Sequence, residues 1–152
     1  MKMIKKRRSF IIGIKGQKLS KKEIIFIKKY CPWGVILFSR NIKNLNQIKR
    51  LVDSIKNINK DYNFPILIDQ EGGRVSRIEK LISSSVFSGS YFEKKFLNDR
   101  KNISYYLDVY IDQITHLFRN IGININTCPL LDLKIKGSSS IIGNRAFSNN
   151  PN

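Results

Sequence analysis

The alternation of short apolar segments with longer amphipathic ones is the feature of this sequence that most constrains its fold. Apolar runs rich in β-branched residues occupy positions 10–14, 34–38 and 64–68, and a fourth, weaker strand is predicted at 123–128. Runs that are apolar throughout are typical of strands buried on both faces, as in parallel sheets. Segments with one apolar helical face lie between them. We therefore predict an α/β fold of parallel strands joined by right-handed helical crossovers, as in a doubly wound sheet or a (β/α)8 barrel.

Signals for the starts and ends of helices agree with this alternation. Ser20 and Glu23 have the spacing of a capping box, which predicts a helix from there to about Tyr30. Asn44 is placed to cap a second helix, and Gly122 to end a third. The apolar face of the second helix is predicted at Leu45, Ile48, Leu51, Val52, Ile55 and Ile58, and that of the third at Ile103, Leu107, Tyr110, Ile111, Ile114, Leu117, Phe118 and Ile121.

Polar side chains follow the predicted strands, and in both candidate folds ligands bind at the carboxyl ends of parallel strands. We therefore expect these side chains to share one rim. Carboxylates accept from neighbouring hydroxyls and guanidinium groups donate through a planar fork, so the set suits a polyhydroxylated ligand. Gly72 and Gly73 allow a sharp turn, but no phosphate-binding glycine pattern surrounds them. The rim residues are Ser39, Arg40, Asn41, Asp69, Gln70, Glu71, Arg74, Asp132, Asn144 and Arg145.

The formal net charge of +17 raises the alternative of a nucleic-acid binder, because clustered basic side chains neutralise phosphates. The charges are spread over all segments, apart from a basic N-terminal arm predicted at residues 1–9. Lys, Asn and Ile are abundant and Ala146 is the only alanine, as an AT-rich coding sequence would impose. No apolar stretch has the length of a signal or a membrane span. We expect neither a nucleic-acid partner nor a membrane partner.

The few residues with metal-binding or redox chemistry are scattered. Cys31 and Cys128 are far apart, and His116 is the only histidine. Because a structural zinc site needs about four ligands, we expect no metal and no cofactor. The thiols are expected to be reduced, as in a cytoplasmic protein, and His116 is expected to be a surface or helix-packing residue.

Four segments of the sequence resemble the N-terminal barrel domain of glycoside hydrolase family 3, and within it the bacterial β-N-acetylhexosaminidases of cell-wall recycling. The segment that begins at Asp69 is the most specific of them. In order, they are Gly34-Val-Ile-Leu-Phe-Ser-Arg-Asn41, Ile68-Asp-Gln-Glu-Gly-Gly-Arg-Val-Ser-Arg77, Pro129-Leu-Leu-Asp-Leu133 and Ile142-Gly-Asn-Arg145.

The resemblance implies a (β/α)8 barrel, of which residues 1–152 would form the N-terminal half with about four β/α units. It also implies that Asp69, Arg77 and Arg145 contact a terminal N-acetylglucosamine. Alternatives remain for each: Asp69 capping loop amides, Arg77 as a surface charge, and Arg145 paired with a carboxylate such as Asp132. Glu71 and Arg74 are expected to hold the loop in shape.

The family cleaves its substrate through a retaining, covalent mechanism, which needs a carboxylate nucleophile and an acid/base group. The resemblance implies that both lie beyond Asn152, so no catalytic residue is expected within this sequence. The leading hypothesis is a fragment of a cytoplasmic glycosidase that releases N-acetylglucosamine from peptidoglycan fragments, with a muropeptide and a missing C-terminal half barrel as partners. The alternative is an inactive half barrel that binds a carbohydrate or a protein.

Overall fold

A computed structural model describes residues 6–151. Its four strands form one parallel sheet in the order β1-β2-β3-β4, which confirms the predicted α/β fold. The strands are β1 (Arg8–Gly13), β2 (Pro32–Leu37), β3 (Ile66–Ile68) and β4 (Ile125–Asn126). The helices are α1 (Lys21–Tyr30), α2 (Leu45–Asn59), α3 (Gly89–Asn98) and α4 (Ile103–Ile121), and single 3-10 turns cover Ser39–Asn41, Arg100–Asn102 and Gly143–Arg145.

The described chain forms two compact units. The first consists of the residues up to Asp69 together with Phe118–Asn126, and it contains the whole sheet. The second consists of Gln70–Leu117 and the chain from Thr127 onward. Helix α4 contributes its last turn to the first unit and its preceding turns to the second.

The core of the first unit is built from the predicted strands and the apolar face of α2. β-branched residues dominate it because they pack well on a pleated surface. In register, Val35 of β2 lies opposite Ile66 of β3, and both are fully buried. Other members of this core with at most 3% of their surface exposed are Leu37, Ile48, Leu51, Val52, Ile55, Phe64 and Ile68.

The predicted caps are confirmed in their atomic detail. The Ser20 hydroxyl accepts from the Glu23 amide at 3.2 Å, and the Glu23 carboxylate accepts from the Ser20 amide at 2.7 Å. The Asn44 side chain accepts from the Gln47 amide at 2.9 Å. These bonds satisfy amides that have no partner within a helix and so fix where α1 and α2 begin.

The second unit has a mixed aromatic and aliphatic core, in which Ile78, Phe92 and Ala146 are buried. The ring of Phe92 stacks on that of Phe147 at 6.2 Å between centroids and lies 5.3 Å from that of Tyr110. A cavity of about 280 Å³ in this unit is lined by Ile82, Ser83, Ser84, Phe87, Tyr91, Phe92, Tyr105, Tyr106, Val109, Tyr110, Gln113 and Ile114.

Several predicted boundaries differ from the structure. The sequence does not predict helix α3, because the helix begins within the serine-rich stretch 83–90, whose composition suggests a loop. Ser88 nevertheless caps it by accepting from the Tyr91 amide at 3.3 Å. Strand β4 covers only two of the six predicted positions, and β1 begins at Arg8, within the predicted basic arm. On α4, Ile111 was predicted to be buried but is 53% exposed. Residues 1–5 of the arm lie outside the described residues.

Among residues 6–151, no helix is both long and apolar enough to cross a membrane. No group of three or more His, Cys, Asp or Glu side chains in that range is arranged to hold a metal ion. His116 is exposed on α4, as expected.

Candidate functional site

In the first unit, the residues that follow β2 connect neighbouring loops. Asn41 is fully buried, and its amide donates to the carbonyls of Ile14 at 3.1 Å and Gly16 at 2.8 Å. Arg40 donates from Nε to the Ile14 carbonyl at 3.0 Å, and its guanidinium group lies 4.4 Å from the ring centre of Phe38. Because the side chains of Arg40 and Asn41 are engaged with the chain itself, they shape the carboxyl edge of the sheet.

Asp69 follows β3 directly, is partly buried, and is the last residue of the first of the two chain segments that form the first unit. Its position is set by β3, whose three buried residues all pair with β2, while the last two also pair with β4. A short strand fixed on both sides holds the residue after it in a defined place. The predicted sugar contact of Asp69 stays a prediction.

In the second unit, the chain from Gln70 to Ile78 forms a tight loop around a buried amide side chain. Gln70 is 1% exposed, and its Oε1 accepts from the backbone amides of Arg77 at 2.7 Å and Ile78 at 3.2 Å. Its Nε2 donates to the Ser84 hydroxyl at 3.2 Å. The loop is therefore closed by a side chain rather than by regular secondary structure.

The turn inside this loop depends on left-handed backbone at Gly72 and Gly73, whose φ angles are +82° and +57°. The Val75 amide donates to the Gly72 carbonyl at 3.1 Å, and the Glu71 amide donates to the Val75 carbonyl at 3.2 Å. Glycine adopts positive φ without the penalty paid by other residues. The predicted sharp turn is thus present.

Arg145 forms a bidentate ion pair with Glu71. Its Nε and Nη2 donate to the two carboxylate oxygens of Glu71, each at 2.8 Å. The Arg145 side chain is 18% exposed and the Glu71 side chain 8%. The predicted alternative of a carboxylate partner for Arg145 is therefore realised with Glu71, whereas Asp132, the partner suggested by the sequence, is exposed.

Arg74 joins the loop to the segment that precedes Arg145. Its Nη2 donates to the Ser140 carbonyl at 2.7 Å and also to the Ile141 carbonyl. These bonds agree with the expectation that Arg74 and Glu71 hold the loop in shape. Arg77 is partly buried, and the sequence did not indicate that its backbone is anchored by Gln70.

The carboxylate of Glu79 organises the serine-rich stretch that follows the loop. The Ser84 amide donates to it at 3.0 Å, and the Ser83 hydroxyl donates at 3.0 Å. The Ser84 amide is the main reason why the pKa of Glu79 falls from 4.5 to about 2, against the opposing effect of burial and with help from the hydroxyls of Ser83, Ser76 and Ser85. Hydrogen bonds to a carboxylate favour its charged form.

We predict that acidification destabilises the protein through Glu79. A carboxyl with a lowered folded pKa stabilises the fold above its unfolded pKa, and this contribution is lost as the pH falls from 4.5 towards 2. NMR titration of the Glu79 side chain should give a midpoint near pH 2. Ser83→Ala should raise that midpoint only in part, because the Ser84 amide remains. A midpoint at the usual value in the wild type would contradict the hydrogen-bonded arrangement.

Neither Arg77 nor Arg145 lines the cavity of the second unit, whereas Ser83 and Ser84 do. Tyr110 lines it, and burial raises the pKa of its hydroxyl, an effect that the Gln70 side chain partly offsets.

Comparison with known proteins gives a consistent family. The family model for the glycosyl hydrolase family 3 N-terminal domain matches residues 2–152 of this chain. A β-hexosaminidase from Alkalilimnicola ehrlichii is 32% identical over 147 residues, which cover 93% of this chain and 40% of that protein. β-Hexosaminidase A from Pseudoalteromonas piscicida is 31% identical over 129 residues, which cover 82% of this chain and 21% of that protein.

A solved structure gives the same result at the level of the fold. NagZ from Neisseria gonorrhoeae, in complex with N-trifluoroacetyl-D-glucosamine, superposes with a TM-score of 0.75 and 27% sequence identity. The match covers 95% of this chain and 42% of that one. The chain thus spans less than half the length of these matching proteins.

Proposed function

The chain belongs to glycosyl hydrolase family 3, and on that premise we propose that it carries the sugar-binding half of a β-N-acetylhexosaminidase site. The membership also confirms the predicted (β/α)8-type domain, to which the described residues contribute four parallel strands. The proposed ligand is a terminal β-linked N-acetylglucosamine, with Asp69, Arg77 and Arg145 as its contacts. The relatives named β-hexosaminidase and the glucosamine derivative bound by NagZ support this choice of ligand.

The geometry of Arg145 is the observation that carries the proposal. Its guanidinium group is fixed by two hydrogen bonds to Glu71 and yet remains partly exposed, so it can present donors in a set direction. Asp69 supplies acceptors for sugar hydroxyls at the end of β3, and Arg77 supplies a second guanidinium group. A set that offers both donors and acceptors suits a polyhydroxylated ligand, because sugar hydroxyls also donate and accept.

The complete reaction is proposed to be a retaining hydrolysis. A carboxylate attacks the anomeric carbon while an acid protonates the leaving oxygen, and water then releases the sugar from the covalent intermediate. We place both groups on a C-terminal half of the barrel, either continuous with this chain or supplied separately. The proposed substrate is an N-acetylglucosamine-containing peptidoglycan fragment in the cytoplasm. The second candidate is an inactive half barrel that binds a carbohydrate or a protein.

Calorimetric titration of the purified chain with N-acetylglucosamine tests the binding proposal. We expect Asp69→Ala, Arg77→Ala and Arg145→Lys each to weaken binding about tenfold or more, the effect of losing a charge-assisted hydrogen bond. Arg50→Ala, at an exposed position of α2, should bind as the wild type does. Absence of heat from the wild type at millimolar sugar would refute independent binding.

The two candidate functions differ in what a C-terminal half barrel restores. The chain is mixed with the corresponding half of a relative and assayed with a chromogenic β-N-acetylglucosaminide. Turnover that is lost with Asp69→Ala supports the glycosidase. Sugar binding without turnover in the mixture favours the inactive half barrel.

A further inference from the structure

We propose that Gln70 and Glu71 are positioning residues that fix the two sugar-binding arginines, Arg77 and Arg145. This inference rests on the proposed function, because it assigns a purpose to residues behind the same site. The two positioning residues are consecutive and lie immediately after Asp69. The nine residues 69–77 would then include two sugar contacts, Asp69 at one end and Arg77 at the other. They would also include Glu71, which orients the third contact, Arg145.

Gln70 acts through the backbone of Arg77. Its Oε1 accepts from two successive amides, those of Arg77 and Ile78, and so fixes the main chain on which the Arg77 side chain stands. The amide group is itself held, since Nε2 donates to the Ser84 hydroxyl and that hydroxyl lies 2.6 Å from the Ser76 hydroxyl. With 1% exposure, Gln70 has little access to a ligand. Its effect on a sugar must pass through Arg77.

Glu71 acts directly on the Arg145 guanidinium group. A carboxylate that accepts from Nε and Nη2 fixes the plane of the guanidinium as well as its position. Nη1 also donates to the Ile141 carbonyl at 3.5 Å. A sugar hydroxyl that Arg145 binds must therefore approach along the edge of the guanidinium group formed by Nη1 and Nη2. This restricts Arg145 to hydroxyls along one edge and makes Glu71 a determinant of which sugars fit.

The backbone near Arg145 is fixed as well. The ion pair with Glu71 therefore orients the guanidinium group and is not needed to hold the main chain in place. A Cβ at Gly89, the first residue of α3, would lie 2.7 Å from the carbonyl carbon of Ala146. The Arg145 amide donates to the Ile142 carbonyl at 2.9 Å. With the main chain held there, loss of Glu71 would free mainly the guanidinium group.

The alternative role for Glu71 is simple neutralisation of a partly buried Arg145. A structural role of that kind predicts a loss of stability but no change in sugar affinity among folded variants.

The role of Gln70 can be tested with a conservative substitution that should keep sugar binding. Gln70→Glu keeps an acceptor for both amides, and Ser84 can donate to it. Gln70→Met has a similar size but no acceptor of comparable strength.

The test uses the full chain, N-acetylglucosamine as the probe, and arginine Nε–H NMR signals as the readout of orientation. In the wild type the Nε–H signals of both Arg40 and Arg145 should exchange slowly, because both groups are hydrogen-bonded. Glu71→Gln should remove the protection of the Arg145 signal alone, since Gln presents an N–H group to one of the two arginine donors. We expect Glu71→Gln and Gln70→Met to weaken sugar binding about tenfold and Gln70→Glu to stay within about threefold of the wild type. Glu93→Gln, on the partly buried side of α3, serves as the matched control.

The outcomes separate the two proposals. If the wild type binds the sugar and all the folded variants bind equally well, the positioning inference is wrong and the proposed function stands. If the wild type does not bind although the Arg145 Nε–H signal is protected, the proposed function fails and the inference falls with it. Should Glu71→Gln not fold, an unprotected Arg145 signal in the wild type, or equal binding by the two Gln70 variants, would still overturn the inference.

Discussion

Replacing Phe64 by alanine is expected to lower the free energy of unfolding by about 3–5 kcal/mol, the range found when a buried Phe side chain is removed. Phe64 is 1% exposed and stands two residues before β3. The guanidinium group of Arg7 lies 5.2 Å from the centre of its ring. The surrounding strands are paired on both sides, so they can collapse into the resulting cavity only in part.

Urea unfolding measured by the fluorescence of Trp33, the only tryptophan, reports this effect because Trp33 lies in β2 of the same unit. Tyr62→Ala is the matched control. Tyr62 is another aromatic residue of the same turn but is 80% exposed, so its loss should change stability by no more than about 0.5 kcal/mol. Equal effects of the two substitutions would mean that Phe64 is not part of the core.

Much of the fold follows from local sequence patterns. The run from Gly34 to Phe38 predicts β2 because residues that are apolar throughout can be buried only between two layers. Ser20 with Glu23 sets the start of α1 through bonds that span only three residues. Features of this kind need no knowledge of the rest of the chain, so sequence analysis recovers them.

The features that the sequence predicted wrongly or missed have a common physical reason, which is that the local sequence does not determine them. Strand β4 pairs only at Ile125 and Asn126, and how far a strand pairs depends on a partner about 58 residues earlier rather than on its own composition. Ile111 fits the helical period of α4 but is exposed. Periodicity predicts which face of a helix is apolar, but not how much of that face the rest of the chain covers. Helix α3 is short and begins beside serines, so its local signal is weak.

The candidate site likewise combines residues that the sequence predicts with contacts that only the structure shows. Asp69, Arg77 and Arg145 could be named only because their segments resemble a known family. The bond between Arg145 and Glu71 joins residues 74 positions apart, and nothing in either neighbourhood specifies it. Gln70 resembles any polar residue after a strand until its burial and its two amide donors are known. Long-range polar pairing is therefore what the structure adds.

Gly72→Ala is expected to lower the free energy of unfolding by roughly 2–5 kcal/mol and to abolish sugar binding. An L-residue at the φ of +82° costs about 1–2 kcal/mol, and overpacking adds about 1–3 kcal/mol. A new Cβ would overlap the Phe87 carbonyl oxygen, and it would lie 2.9 Å from the Phe87 carbonyl carbon and 3.2 Å from the Tyr110 hydroxyl. Backbone cannot move aside as a flexible side chain can, so the loop from Gln70 to Ile78 must shift.

Gly137→Ala isolates the part of this effect that comes from backbone conformation. Gly137 has a φ of +87° and lies in the same unit, but a Cβ there would meet nothing within 4 Å. Its substitution should cost only the left-handed penalty of about 1–2 kcal/mol and leave sugar binding intact. Urea unfolding measured by far-ultraviolet circular dichroism, together with calorimetry, compares the two variants. Equal losses of stability in the two variants would mean that the Phe87 carbonyl moves aside at no cost. The close packing behind the loop would then not hold Arg77 and Glu71 in place.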